Sequence, residues 1–277
     1  MTLPPVRTAK INGRTLCWRE QGDGVALVLI HGIGGNSESW AAQFADFGRR
    51  YRVIAWDAPG YGGSAPLPND APEAADYAKA LAALLDMRGI MAAHIVGQSI
   101  GAVIAASLAR AIPATAQSLT LLHPLMGFGG MAPADRTAAR AGRLAPFETQ
   151  DMASFAESRA AAILGPGHSP ELLAQVKRIM SAVTVPAYRQ LVEVMASADM
   201  MAWAPTLALP TLVIAGGADK VAPPDSCRAL ANAIPGATYE CYDRIGHYMQ
   251  LEDPKRLRAT LDRFLAAHDD AAKAATY

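Results

Sequence analysis

Residues 97–101 read Gly97-Gln98-Ser99-Ile100-Gly101. The pattern G-x-S-x-G is short, and its meaning depends on its surroundings. Just before it, HIVGQS (94–99) predicts a strand. Just after it, IGAVIAASLARAI (100–112) predicts a helix. A chain that turns straight from strand into helix needs neighbours with little or no side chain, and Gly97 and Gly101 supply them. Such a turn lifts the Ser99 hydroxyl clear of the backbone. It also sets Ser99 at a helix N-terminus, where free N–H groups and the dipole favour developing negative charge. Ser99 is the candidate nucleophile.

Working outward, short apolar runs alternate with helical stretches. VRTAKI and RTLCWREQG flank Asn12-Gly13, a hairpin signal. ALVLIH (26–31) is the continuous apolar run of a buried parallel strand, followed by ESWAAQFADFG as a helix. YRVIAWD (51–57) predicts the next strand. PEAADYAKALAALLDMR (72–88) predicts a helix with Pro near its start, acids early and Arg late. SLTLLHP (118–124), TLVIAGGAD (211–219) and ATYECYD (237–243) predict further strands. PDSCRALANAI and DPKRLRATLDRFLAAH predict further helices, and the tail after His268 is expected to fray. Alternation of this kind implies a parallel sheet with helices on both faces. Residues 125–205 break the rhythm, being helical in period with no good strand. They read as a lid inserted over the carboxyl ends of the strands. The expected domains are a core of 1–124 with 206–277 and a helical cap of 125–205.

The chain has 277 residues, 51% hydrophobic and 18% charged, which suits a large core and excludes disorder. Its 25 basic and 25 acidic residues give a formal net charge of +0, so neither nucleic acid nor an anionic membrane is an expected partner. Its 3 cysteines form no C-x-x-C pair and read as free thiols. MTLPPVRTAKINGRTL lacks an apolar signal region, and no apolar run reaches the roughly 18 residues of a membrane helix. A cytoplasmic setting is expected.

A serine hydroxyl needs a base within hydrogen-bond reach and a third group to orient that base. Of the 6 histidines, His247 lies in RIGHYMQLEDP, between the last strand and the last helix, on the sheet edge expected for Ser99. It is the candidate base. His31 is expected to orient its own loop, His94 to be structural, and His123, at a strand end, to line the pocket. His168 and His268 carry no expected role. Asp219, at the end of TLVIAGGAD, is the candidate orienting acid, with Asp57 and Asp243 as rivals at other strand ends. The order Ser99, Asp219, His247 is the one expected for a triad built on such a sheet. Oxyanion donors are expected from the backbone N–H of Ile100 and of Ile33, with Gly34 as the alternative to Ile33.

Together, HGIGG (31–35), WDAPGYGGS (56–64), GQSIGA (97–102), GGADKVAPP (216–224) and GHYMQLEDP (246–254) resemble the α/β-hydrolase superfamily. The likeness spans the chain outside roughly residues 125–205. It is strongest to the branch of carboxylesterases, enol-lactonases and meta-cleavage C–C hydrolases. The resemblance implies an eight-stranded, mostly parallel sheet with a helical cap, and no cofactor. A serine at position 99 excludes the dehalogenase and epoxide hydrolase chemistries that use aspartate there. The C–C hydrolases of this branch carry G-N-S-x-G and H-G-x-G-P-G, where this chain has Gln98 and HGIGGN.

The expected activity is serine hydrolysis of a small ester or lactone through an acyl-enzyme. C–C hydrolysis of a vinylogous diketo acid is the alternative, and a silent small-molecule receptor is the third reading. No metal is needed, and no metal-ligand cluster is visible in the sequence. Substrate choice is expected to lie in 125–205. Arg136, Arg140 and Arg143, at i, i+4 and i+7, share a helix face that is either solvated or able to grip a substrate carboxylate. Arg140, Arg159, Met126, Trp203, Met249 and His123 are the candidate substrate contacts.

Overall fold

A computed structural model of the chain describes residues 3–269. Eight strands form one sheet: β1 (Val6–Ile11), β2 (Arg14–Gln21), β3 (Ala26–Ile30), β4 (Arg52–Asp57), β5 (Ala93–Gln98), β6 (Ala116–Leu122), β7 (Thr211–Gly216) and β8 (Thr238–Tyr242). Their order across the sheet is β1-β2-β4-β3-β5-β6-β7-β8. β2 runs antiparallel to both β1 and β4, and every other pairing is parallel. The β1–β2 turn uses Asn12 and Gly13 at φ 49° and 80°. Two positive φ values in a two-residue loop match the right-handed twist of the flanking strands.

The helices are α1 (Ala41–Phe47), α2 (Ala74–Met87), α3 (Ile100–Ala111), α4 (Pro133–Leu144), α5 (Met152–Ile163), α6 (Pro170–Ser181), α7 (Val185–Ser197), α8 (Met200–Trp203), α9 (Pro224–Ala233), α10 (Met249–Glu252) and α11 (Pro254–Ala266). β3 shows why its sequence is apolar throughout. Val28 and Ile30 enter the core that holds α2 and α3, while Leu27 and Leu29 enter the core that holds α1 and α11. Alternate side chains thus serve opposite faces, and both faces are covered. Several boundaries shift by a few residues from expectation, β6 starting two residues earlier than 118 and β7 ending at Gly216 rather than 219. The predicted 72–88 helix starts at Ala74, because the Asp76 carboxylate accepts the Glu73 N–H and holds Glu73 extended as the cap. The predicted ESWAAQFADFG helix opens with a 3-10 turn, Ser37–Trp40, capped by Asn36.

Between β6 and β7 the chain is helical. α5 packs on α6 and α4 on α7. The starts of α5 to α8 are set locally: Asp151, Ser169, Thr184 and Asp199 each accept a backbone N–H of the first turn that follows. Cys17 and Cys227 are buried free thiols, and Cys241 is an exposed one. No helix among the described residues is long and apolar enough to cross a membrane. The expected fraying of the C-terminal tail falls, from residue 270 on, outside the described residues.

Candidate active site

β5 ends at Gln98, and α3 begins at Ile100, so Ser99 alone makes the turn. Its backbone sits at φ 58°, ψ −120°, a conformation that costs a non-glycine residue on the order of 1–3 kcal/mol. The surroundings enforce it. The Ser99 N–H donates to the Leu122 carbonyl at 2.9 Å. A Cβ on Gly97 would overlap the Gly101 carbonyl, and one on Gly101 would overlap the Ile30 carbonyl. The two glycines permit the close packing of α3 on the sheet that this turn demands.

Three side chains from three loops then meet in a line. His247 Nε2 lies 2.9 Å from Ser99 Oγ. His247 Nδ1 lies 2.7 Å from Asp219 Oδ2. The other oxygen, Oδ1, accepts the N–H groups of Val221 at 2.7 Å and Ala222 at 3.0 Å. All three residues are buried. The carboxylate demands the Nδ1–H tautomer of His247, which leaves Nε2 free to accept the Ser99 proton. Burial pushes the His247 pKa below its ordinary value, outweighing the opposing pull of Asp219. For Asp219 the balance is reversed. Burial opposes its charge, but hydrogen bonds from His123 and His247 hold the carboxyl well below the usual carboxylate range.

His123 is the unexpected member of this group. It sits at the end of β6 with φ 48° and is fully buried. Its Nδ1 lies 3.1 Å from the same Asp219 oxygen that His247 uses. Its Nε2 has no partner among the described residues. With Nδ1 as the donor, the unpaired Nε2 is an acceptor. The expectation that His123 lines the pocket is therefore corrected: its position behind Asp219 spends the ring on the carboxylate. The donor atoms of His123, Asp219 and His247 lie within 4.8 Å of one another. Two N–H groups converging on one carboxylate oxygen account for that clustering.

The loop carrying His247 is fastened from two sides. Gln98, next to Ser99, donates from Nε2 to the His247 carbonyl at 2.9 Å. Glu252 accepts the N–H groups of Gly246 at 2.9 Å and Tyr248 at 2.9 Å. It also accepts that of Gly165, beyond the end of α5, at 2.7 Å. The His247 N–H donates to the Ile163 carbonyl at 2.7 Å. One carboxylate thus joins the His247 loop to the helical segment. The rival acids are used elsewhere. Asp57 accepts the Ser37 N–H at 2.8 Å, and Asp243 is exposed. His31 accepts the Ala58 N–H at 3.0 Å and so braces its own loop. His94 bonds Ser118 at 2.8 Å.

A pocket opens over Ser99 and His247. Ile33 and Gly34 border it on the sheet side. Residues of the helical segment, including Met152, Phe155, Met180, Tyr188 and Met195, form much of the wall, with Arg143 and Arg159 among them. Ile100 is the first residue of α3, a position whose N–H has no intrahelical partner. Of the expected substrate contacts, Arg159 borders the cavity, whereas Met126, Arg140, Trp203 and Met249 do not. Arg140 is tied to Glu193 of α7 in a bidentate pair. Trp203 carries the Arg110 guanidinium over its ring at 5.0 Å. Met126 packs against the core beside β6 and β7, its carbonyl accepting the Met200 N–H at 2.9 Å. Met249 lies only two residues past His247, but it opens α10 and is buried in the core of the opposite face with Leu257 and Leu261. Sequence reasoning passed over Arg143 as a separate candidate, and Tyr188, Tyr248 and Glu252 altogether. Glu252, two residues before the final helix, and Tyr248 both lie inside the GHYMQLEDP motif and so carry a local signal.

The alpha/beta hydrolase fold family model matches residues 25–254. The chain belongs to the α/β-hydrolase family, and it is an enzyme of that family. It is 28% identical over 281 residues, 96% of this chain and 70% of the other, to the dihydrolipoyllysine-residue acetyltransferase component of the acetoin cleaving system of Pseudomonas putida. It is 32% identical over 112 residues, 40% of this chain and 42% of the other, to the (E)-2-((N-methylformamido)methylene)succinate hydrolase of Acinetobacter baylyi. Among solved structures it is similar to the enol-lactonase of Burkholderia xenovorans LB400, with a TM-score of 0.84 and 25% identity over 94% of this chain and 100% of that one.

Proposed function

We propose that this enzyme hydrolyses a small carboxylic ester or lactone, with Ser99 as nucleophile, His247 as base and Asp219 as orienting acid. The observation that carries the reading is the unbroken line from Ser99 Oγ to His247 Nε2 at 2.9 Å and from His247 Nδ1 to Asp219 Oδ2 at 2.7 Å, at the floor of a cavity. His247 takes the Ser99 proton as Oγ attacks the acyl carbonyl, and Asp219 stabilises the imidazolium that forms. The N–H groups of Ile100 and of Ile33, or Gly34 in its place, receive the oxyanion. Removal of one such donor typically costs about 10²–10³ in turnover. His247 then protonates the leaving alcohol. Water, deprotonated by the same ring, releases the acid and restores Ser99.

Residues 125–205 serve as the cap that excludes water and selects the substrate. The likeness to an enol-lactonase over the full length of that protein supports hydrolysis of an ester or lactone. The test is p-nitrophenolate release from p-nitrophenyl butyrate by wild type and Ser99→Ala. Turnover in wild type that falls at least ~10³-fold in the mutant is expected from loss of the nucleophile. Equal turnover in both proteins contradicts the assignment.

A further inference from the structure

The wall of the cavity contains an imbalance of charge. Arg143, in the last turn of α4, and Arg159, on α5, both border it, and both are half-buried. No Asp or Glu lies among the lining residues. Neither arginine forms an ion pair with any described residue. Three half-buried arginines elsewhere in the molecule do find carboxylates, while Arg14 and Arg136, which border no part of this cavity, do not. Arg52 and Arg88 share Glu20, and Arg19 reaches Glu38. On α4 itself, Arg140 is paired with Glu193, one turn before Arg143.

Both cations act on the interior of the site. The charge of Arg143 is felt by His247, whose protonation it disfavours. That charge also acts on the Tyr188 hydroxyl. The charge of Arg159 is felt by Tyr188 and by Tyr248, two rings of the same wall. Half-buried guanidinium groups in a wall shared with Phe155, Met152 and Met195 lose part of their hydration, and a neutral occupant returns less of it than a charged one.

We infer that the substrate carries a free carboxylate in addition to the ester or lactone it presents to Ser99, and that Arg143 and Arg159 hold that carboxylate between them. This rests on the hydrolase reading above and narrows it to half-esters of dicarboxylic acids and carboxylated lactones. A carboxylate suits the site better than a phosphate or sulfate. Its two oxygens meet the planar forks of two guanidinium groups, and a bulkier oxyanion would carry further oxygens into a mostly apolar wall.

Binding to the Ser99→Ala protein tests this without requiring turnover. Calorimetric titration with the monoethyl esters of succinate, glutarate and adipate is compared with titration by the matching ethyl methyl diesters, which lack the free carboxylate. At least one half-ester is expected to bind roughly tenfold or more tightly than its diester, the size of one charge-assisted contact. Adding Arg143→Met or Arg159→Met is expected to shrink that ratio about tenfold each. Arg143→Lys, which keeps the charge but not the fork, should fall between. Thermal melts of each variant confirm that it is folded. Diesters that bind as tightly as the half-esters, half-esters that do not bind at all, or a preference that survives both Met replacements would each overturn the inference. Modification of Ser99 in the wild-type protein by a fluorophosphonate is read separately. It speaks to the hydrolase assignment alone, so failure of one is distinguishable from failure of the other.

Discussion

The carboxyl edge of the sheet and the helical segment above it solve the problem of buried charge in opposite ways. At the sheet edge most of the polar groups are spent on one another, although His123 Nε2 has no partner among the described residues. Asp219 receives two ring N–H groups and two backbone N–H groups, and His247 is held between Asp219 and Ser99. In the helical segment the polar groups facing the cavity are left unspent, since Arg143 and Arg159 meet no carboxylate among the described residues. A closed network fixes geometry, which is what proton transfer requires. An open one is a vacancy for charge, which is what selection of a substrate requires. The proposed division of labour, a rigid reactive edge beneath a selective lid, rests on that contrast.

The comparison is broken most severely by attacking the closed network. Asp219→Asn keeps the shape but stabilises the wrong tautomer of His247, and turnover is expected to fall on the order of 10⁴-fold while the protein stays folded. Steady-state kinetics on p-nitrophenyl butyrate, beside a thermal melt, checks both halves of that statement. Glu252→Ala strips the acceptor from Gly165, Gly246 and Tyr248 at once and loosens the seam between the two regions. Each charge-assisted bond is worth roughly 1.5–3 kcal/mol, so the melting temperature should drop by several degrees. Turnover should drop about tenfold as His247 loses its fixed position. A variant that melts early but turns over normally would show that the seam is structural only.

A smaller effect concerns pH. Burial lowers the His247 pKa, so the neutral, proton-accepting ring persists below the ordinary histidine value of 6.5. The acid limb of kcat/KM should therefore inflect below 6.5, with activity lost as pH falls through the lowered pKa. An inflection at or above 6.5 would mean that Asp219 outweighs burial. The smallest effect is expected from Arg140→Ala. Arg140 is exposed and its partner is Glu193 of α7, and an exposed pair contributes about 0–1 kcal/mol. Activity should stay within about twofold, in contrast with its near neighbour Arg143.

The two regions also differed in how far their sequence could be read. The sheet edge was legible because its chemistry is encoded locally. Gly97 and Gly101 around Ser99, the polar ends of apolar strands, and a histidine between the last strand and the last helix each speak for themselves. The hairpin at Asn12-Gly13 was legible for the same reason. What escaped depends on packing at a distance. Arg140 and Arg143 lie three residues apart on one helix face, and periodicity treats them alike. Only the placement of α7 alongside α4 supplies Glu193 to the first and leaves the second turned to the cavity. Met249 shows the converse. Two residues from His247 in sequence, it lies across the sheet, because a new helix starts at that point and turns it into the opposite core. His123 was placed at the right edge of the sheet, but its contact with Asp219 joins β6 to the loop after β7, and no local pattern announces it.

The account stands on Ser99 being the activated nucleophile, and active-site labelling reads that most directly. Wild-type protein is treated with a fluorophosphonate at neutral pH, digested, and the adduct located by mass spectrometry, with Ser99→Ala and His247→Ala treated in parallel. The predicted result is one phosphonate per chain, on Ser99, absent from Ser99→Ala and strongly slowed in His247→Ala. An unmodified Ser99 in the folded wild-type protein, or an adduct that forms equally fast without His247, would contradict it.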